Sequence, residues 1–244
     1  MMTEQEMISC REPARQLERA IALMHRLHQP DGCPWDAAQT HDSIVSNMLE
    51  ECYEAIDAIR SRDWPHLREE LGDVLMQVLF HTDIERELGH FDLNDVADAA
   101  CKKLITRHPH VFGNAIADTP DAVLDNWDEI KKQERQQTTV SAAMQSVAKT
   151  LPALWRAEKI QKKAAKADRR PSDPAIALEN LCDTVRQLQT AVAAGADPQQ
   201  AVGDALFVMT DVARTLQVDP ETALQDASNR YIANFAAIES ADHQ

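Results

Sequence analysis

Residues 44–80 read IVSNMLEECYEAIDAIRSRDWPHLREELGDVLMQVLF, and carboxylates recur along this stretch at helical spacing. On an α-helix, residues three and four apart share a face. Glu51 and Glu54 therefore stack on one stripe with Glu50 beside them, and Glu70 and Asp73 do the same on the next helix. Between the two sets lies Ser61-Arg62-Asp63-Trp64-Pro65, where Asp63 suits an N-cap and Pro65 a first helical turn. Two helices joined there make an antiparallel hairpin whose acidic faces meet. Leu49, Ile56, Leu71, Leu75 and Leu79 interleave with the acids, so this is more than a solvated face. Like charges clustered beside an apolar stripe repel unless a cation offsets them. Convergent oxygen ligands, with no cysteine or histidine among them, describe a site for a hard divalent cation such as Mg²⁺.

Composition extends the helical reading to the whole chain. With 244 residues, only 6 glycines and 5% aromatics, the sequence is expected to be all-α, with one large or two small domains. The formal charge of −15 excludes the basic footprint that nucleic acid or an anionic membrane requires. Basic residues must then be concentrated wherever an anionic substrate binds. Cys10, Cys33, Cys52, Cys101 and Cys182 are scattered with no CxxC, which fits reduced thiols and a cytoplasmic location. No stretch approaches the roughly 18 apolar residues of a membrane span.

Before the hairpin, residues 1–10 read as a loose leader, and Leu17, Ala20, Ile21, Met24 and Leu27 give an amphipathic helix ending at His28. The segment Gln29 to Asp36 holds two prolines and a glycine, which exclude regular structure; its Trp35 is either a plug over the bundle end or a lid near a ligand. The hairpin helices are expected over about Asp42–Arg60 and Pro65–Glu87, with Gly89 as the stop. Asp92-Leu93-Asn94-Asp95 opens a fourth helix expected to carry Val96, Ala99, Ala100 and Leu104 inward. Lys103 and Arg107 on it stand i, i+4. That spacing serves phosphate oxygens and equally a helix dipole, and it leaves both readings open. Pro109 between His108 and His110 marks a break rather than a metal pair, and a helix from Pro120 to Gln136 follows. The expected organisation is a catalytic domain over 1–136, a linker over 137–150 and a second helical domain over 151–244.

The second half echoes the first. Gly72-Asp73-Val74-Leu75-Met76 returns as Gly203-Asp204-Ala205-Leu206-Phe207, and Glu50, Glu51 and Glu54 return as Glu179, Asn180 and Asp183. Glu70 faces Ala201 in this register, and Lys103 and Arg107 face Arg230 and Asn234. A copy stripped of two of its best ligands holds Mg²⁺ poorly, so the second half reads as a packing and dimerisation module.

EECYE, fifteen residues and then ELGD match the EExxE…ExxD pattern of the all-α nucleoside triphosphate pyrophosphohydrolases. Together with GCPWDAAQTH, KLITRHPHVFG, VLDNWDEIKKQE and LPALWRAEKIQKKAA, they make the chain resemble the MazG family in its tandem-domain form. The resemblance is strong over about residues 15–165 and weak beyond. After Lys166 the family's usual Gly-Phe-Asp-Trp stretch is missing, which puts only the C-terminal site in doubt. It implies tandem helical units of four-helix-bundle type assembled as a homodimer. It also implies hydrolysis of an NTP or dNTP to the monophosphate and pyrophosphate with Mg²⁺, or Mn²⁺ in its place. Glu51, Glu54, Glu70 and Asp73 would be metal ligands, and Glu50 a ligand or water-orienting base. Lys103 and Arg107 would bind phosphates, Trp127 the nucleotide, and Asn47 its sugar or base. An apolar flank of Ile44, Met48, Val78 and Leu79 would be buried by the homodimer.

Other readings of the same residues are weaker. A di-iron carboxylate bundle needs two ExxH pairs, and the ExxH present, Glu87 to His90, spans Gly89. A non-catalytic helical interaction module fits the second half better than the first. A phosphoribosyl-ATP pyrophosphohydrolase shares the chemistry but is normally shorter and lacks a second unit.

Overall fold

The computed structural model describes residues 2–134, 139–168 and 173–242, and all its regular structure is helical. The chain divides into two compact units, Met1–Val123 and Leu124–Gln244. The first contains α1 (Glu4–Ser9), α2 (Gln16–His28), α3 (His41–Ser61), α4 (Trp64–Leu88), α5 (Leu93–Arg107) and the short α6 (Pro109–Phe112). Helix α7 (Pro120–Glu134) crosses the boundary. The second contains α8 (Val140–Gln145), α9 (Ala153–Asp168), α10 (Pro174–Ala193), α11 (Gln199–Thr215) and α12 (Pro220–Asp242).

The hairpin of α3 and α4 is the most extensive packing in the first unit, and α2 lies against α4. Its corner is built from local chemistry. Arg62 caps α3 in the left-handed region at φ 58°, and the Asp63 side chain accepts from the His66 N–H at 3.1 Å to start α4. Gly89, at φ 74°, ends α4 by donating to the Arg86 carbonyl at 3.1 Å, the conformation in which glycine costs least. Asp92 then accepts from the Asn94 and Asp95 N–H groups and opens α5. The loop before α3 depends on Gly32, where a Cβ would come within 2.4 Å of the Arg26 and Leu27 carbonyls at the end of α2. Trp35 lays an edge on Phe80, ring centroids 6.5 Å apart, and remains largely exposed.

Met24, Ile44, Leu79, Phe80 and Ile84 form the core cluster, with Ala20 and Leu93 packed against it. Each such side chain contributes on the order of 1.5–3 kcal/mol by leaving water. This corrects two expectations. Ile44 and Leu79, expected on a leftover apolar flank, are the core itself, because α2 packs on the face that the hairpin alone would leave open. Val96, Ala99, Ala100 and Leu104, expected inward, are exposed, because α5 touches the core through Leu93 and then leaves it. The leader is likewise ordered: Thr3 and Glu6 make a reciprocal capping box for α1, and Met2 and Met7 are buried.

A histidine network closes the start of α3 onto α4. His41 Nδ1 lies 2.7 Å from His81 Nδ1, and its Nε2 lies 2.6 Å from Glu85, which also meets His90 Nδ1 at 2.7 Å. Burial, and then the neighbouring His41, hold His81 below its ordinary value of 6.5. A folded-state pKa below the unfolded one means that protonation opposes folding. Stability should therefore fall as pH drops below about 6.5, since two doubly protonated rings cannot share the Nδ1 contact. Melting temperatures measured against pH should show this slope, and His81→Asn should flatten it.

In the second unit α10 and α11 pack as the counterpart hairpin, with α9 along α11 and α8 and α12 against α9. These are the helices that hold the sequence echoes of α3 and α4. Trp155 donates to both Asp219 oxygens, at 2.9 and 3.1 Å, tying α9 to the start of α12. Of the stretch expected as a linker, residues 137 and 138 lie outside the described residues, and α8 occupies its middle. The last residue expected for the helix before it, Gln136, also lies outside them.

Candidate active site

Helical spacing places Glu51 on the face of α3 that meets α4, and Glu70 and Asp73 on the facing side of α4. Carboxylate oxygens of Glu51, Glu70 and Asp73 lie within 4.8 Å of one another. Glu70 is buried, and Glu51 and Asp73 are half-buried. Glu54, one turn after Glu51, and Glu50 beside it are exposed at the rim. Burial first, then Asp73, Glu54, Glu70 and Glu50, push the Glu51 carboxyl above its ordinary value of 4.5. All five acids expected from sequence are thus neighbours in one electrostatic cluster, with Glu51, Glu70 and Asp73 at its centre.

Protein groups compensate this charge only in part. His66 Nε2 meets Glu70 Oε1 at 2.8 Å, while Glu70 Oε2 is buried and accepts no hydrogen bond. A buried carboxylate oxygen left without a donor costs on the order of 1–3 kcal/mol or more. The oxygen-only donor set and this open lone pair fit a hard divalent cation held between α3 and α4.

Gln77 is a buried polar residue near the acids in sequence that the sequence reading did not single out. It stands one turn after Asp73 on α4, is buried, and its Oε1 has no hydrogen-bond donor. The available signal was a lone amide at i+4 from Asp73 in the otherwise apolar run Val74 to Phe80. Asn47 is half-buried one turn before the acids of α3. Lys103 and Arg107 ride on the part of α5 that has left the core; Lys103 is exposed and Arg107 half-buried. Trp127 belongs to the second unit, with the Lys131 ammonium 5.3 Å from its ring centroid.

The second unit lacks a comparable cluster among the described residues. Asp183 pairs with Arg186 at 2.6 Å, and Asp204 is exposed. The positions beside them hold Asn180 and Ala201, so the facing acids are gone.

Residues 39–112, which span both acidic helices, match the family model of the MazG nucleotide pyrophosphohydrolase domain. The nucleoside triphosphate pyrophosphohydrolase of Escherichia coli strain K12 is 39% identical over 229 residues, covering 92% of this chain and 87% of that protein. The nucleoside triphosphate pyrophosphohydrolase/pyrophosphatase MazG of Thermotoga maritima is 38% identical over 225 residues, 91% of this chain and 85% of its own. A nucleoside triphosphate pyrophosphohydrolase of Mycolicibacterium smegmatis is 39% identical over 207 residues, 75% of this chain and 62% of that protein.

Proposed function

The chain belongs to the MazG nucleotide pyrophosphohydrolase family, and on that premise we propose that its first unit cleaves nucleoside triphosphates in a Mg²⁺-dependent reaction. The protein is a hydrolase acting on acid anhydrides, a nucleoside triphosphate pyrophosphohydrolase. The observation that carries the site assignment is the convergence of carboxylate oxygens of Glu51, Glu70 and Asp73, beside a buried Glu70 that keeps one oxygen without a hydrogen bond.

In this reading Glu51, Glu54, Glu70 and Asp73 hold Mg²⁺, or Mn²⁺ in its place. When bound, the cation would supply Lewis acidity toward the triphosphate oxygens and the attacking water. Glu50, exposed beside Glu51, orients that water and takes its proton as the oxygen attacks the α-phosphorus. The bond from the α-phosphorus to the bridging oxygen breaks, and pyrophosphate leaves with its charge met by Lys103 and Arg107. Asn47 reaches the sugar or base. Most of the acceleration would come from positioning and electrostatics. A role in clearing aberrant nucleotides is part of the proposal. The test is pyrophosphate release from a panel of canonical and damaged triphosphates, with Mg²⁺ titrated. Release that needs Mg²⁺ supports the reading, and no release from any triphosphate overturns it.

Activity is assigned to the first unit because the second has lost the facing acids. Asp204→Asn should therefore keep most of the wild-type kcat/KM, and a complete loss would reverse the assignment of the halves.

We also propose a homodimer. Val45, Leu49, Leu71, Leu75 and Met76 on α3 and α4 are exposed in one chain, an apolar surface beside the acids that a second copy would cover. Light scattering at micromolar concentration should give twice the chain mass of 27.3 kDa; a stable monomer would refute it.

A further inference from the structure

At the opposite end of α4 from the acid cluster, a second group of ligating side chains joins α2 to α4. Asp83 follows Asp73 by ten residues, about 15 Å along the helix, so the two groups are separate. His25 and His28 stand i, i+3 on α2, and Asp83 and Glu87 stand i, i+4 on α4. Each pair shares a helix face, and the two faces meet.

We infer that His25, His28, Asp83 and Glu87 form a second metal site, for a borderline divalent cation such as Zn²⁺. Donor atoms of His25, Asp83 and Glu87 lie within 4.8 Å of one another, and His28 stands outside that trio and joins it through Asp83 and Glu87. His25 Nδ1 is 3.4 Å from Asp83 Oδ1, and His28 Nδ1 is 3.1 Å from Asp83 Oδ2 and 3.5 Å from Glu87 Oε2. Bonds of about 2.0–2.2 Å from zinc to imidazole nitrogen and carboxylate oxygen set neighbouring donors of a tetrahedral shell about 3.3–3.6 Å apart. The three observed separations, 3.1, 3.4 and 3.5 Å, lie close to that spacing. His28 and Asp83 are each more than nine-tenths buried, with side-chain exposures of 6% and 6%, whereas His25 at 26% and Glu87 at 38% line the open side. Two deep donors and two at the mouth make a site that a cation can enter. Imidazole nitrogen beside carboxylate oxygen favours zinc, cobalt or nickel over magnesium, so this site and the acid cluster select different ions.

Other contacts describe the ion-free arrangement. Arg86 Nε donates to Asp83 Oδ1 at 2.9 Å, its Nη2 touches the His25 ring, and Gln29 Nε2 donates to Glu87 Oε1 at 3.2 Å. The Arg86 guanidinium supplies here the positive charge that a cation would bring. Its side chain is 38% exposed and turns to solvent when the ion binds. Arginine and metal compete for the same carboxylate.

The test titrates Zn²⁺ alone into metal-stripped full-length protein by calorimetry, and Co²⁺ by visible absorption. An Asp73→Asn background removes the acid cluster as a competing site. Expected are about one equivalent of Zn²⁺ retained in that background and intense Co²⁺ bands of tetrahedral type. His25→Ala and Glu87→Gln, both at the open side, should each weaken Zn²⁺ by at least about tenfold, a loss seen even for residues that only support a ligand. Arg86→Gln should tighten it. Loss of all Zn²⁺ binding with Asp73→Asn, or unchanged affinity in both His25→Ala and Glu87→Gln with melting curves showing folded protein, would overturn the site. Either outcome leaves the hydrolytic reading of the first unit standing, since the readout is binding and not turnover.

Discussion

Glu51→Gln should give a folded protein that no longer releases pyrophosphate, with kcat/KM lowered at least about a thousandfold. The expectation follows from where the residue sits. In the proposed site Glu51 is the carboxylate that α3 brings to the central trio, and Glu70 and Asp73 both come from α4, so its loss leaves α3 with only the exposed Glu54 to hold the cation. Stability should move the other way. Burial and four neighbouring carboxylates press the Glu51 carboxyl toward its neutral form, and a neutral amide of the same shape relieves that repulsion. The melting temperature of the metal-free variant should equal or exceed that of wild type, while stabilisation by added Mg²⁺ should shrink. Paired measurements of turnover and melting, with and without Mg²⁺, check both halves. A variant that keeps near-wild-type turnover would remove Glu51 from the site, and a lowered metal-free melting temperature would make its role structural.

Arg107→Ala should lower kcat/KM by about tenfold to a hundredfold, since a hydrogen bond to a charged group contributes roughly 1.5–3 kcal/mol. The competing account assigns Arg107 to the C-terminal end of α5, where a cation complements the helix dipole by about 0.3–1 kcal/mol. The structure sharpens the contrast. Beyond Leu93, α5 runs exposed through Thr106 and Arg107 is half-buried, so a purely structural role shows in melting and a substrate role in turnover. Kinetics and melting separate the two. A fall in kcat/KM with little change in melting temperature supports phosphate binding, and unchanged kinetics with a lowered melting temperature returns Arg107 to the helix dipole. Arg107 is a sharper probe than Lys103, because the adjacent Lys102 can compensate for the lysine. Lys102 is held by Asp98 at 2.5 Å, which a substrate phosphate would have to outcompete.

The sequence by itself determined the two hairpin helices and the acid cluster, because both rest on interactions between residues close in the chain, whereas α1 and α8 fell in stretches read as leader and linker. Asp63, Gly89 and Asp92 sit at the helix ends they were expected to make, since a cap depends on a few neighbouring backbone groups. Glu51, Glu70 and Asp73 meet because one short corner joins two helices of fixed pitch, so i, i+3 spacing is enough to aim them at each other. The repeat in the second half was legible for the same reason, as was the loss of its acids at Asn180 and Ala201. Tertiary structure decided which apolar faces are covered. Ile44 and Leu79 became core only because α2 lies across the hairpin, and Val96 and Leu104 stayed exposed only because α5 departs after Leu93. It also decided that His25 and His28 meet Asp83 and Glu87, more than fifty residues away. Helical period tells which side chains share a face; which face meets which is set by the competition among all apolar surfaces for burial, and no local spacing records its outcome.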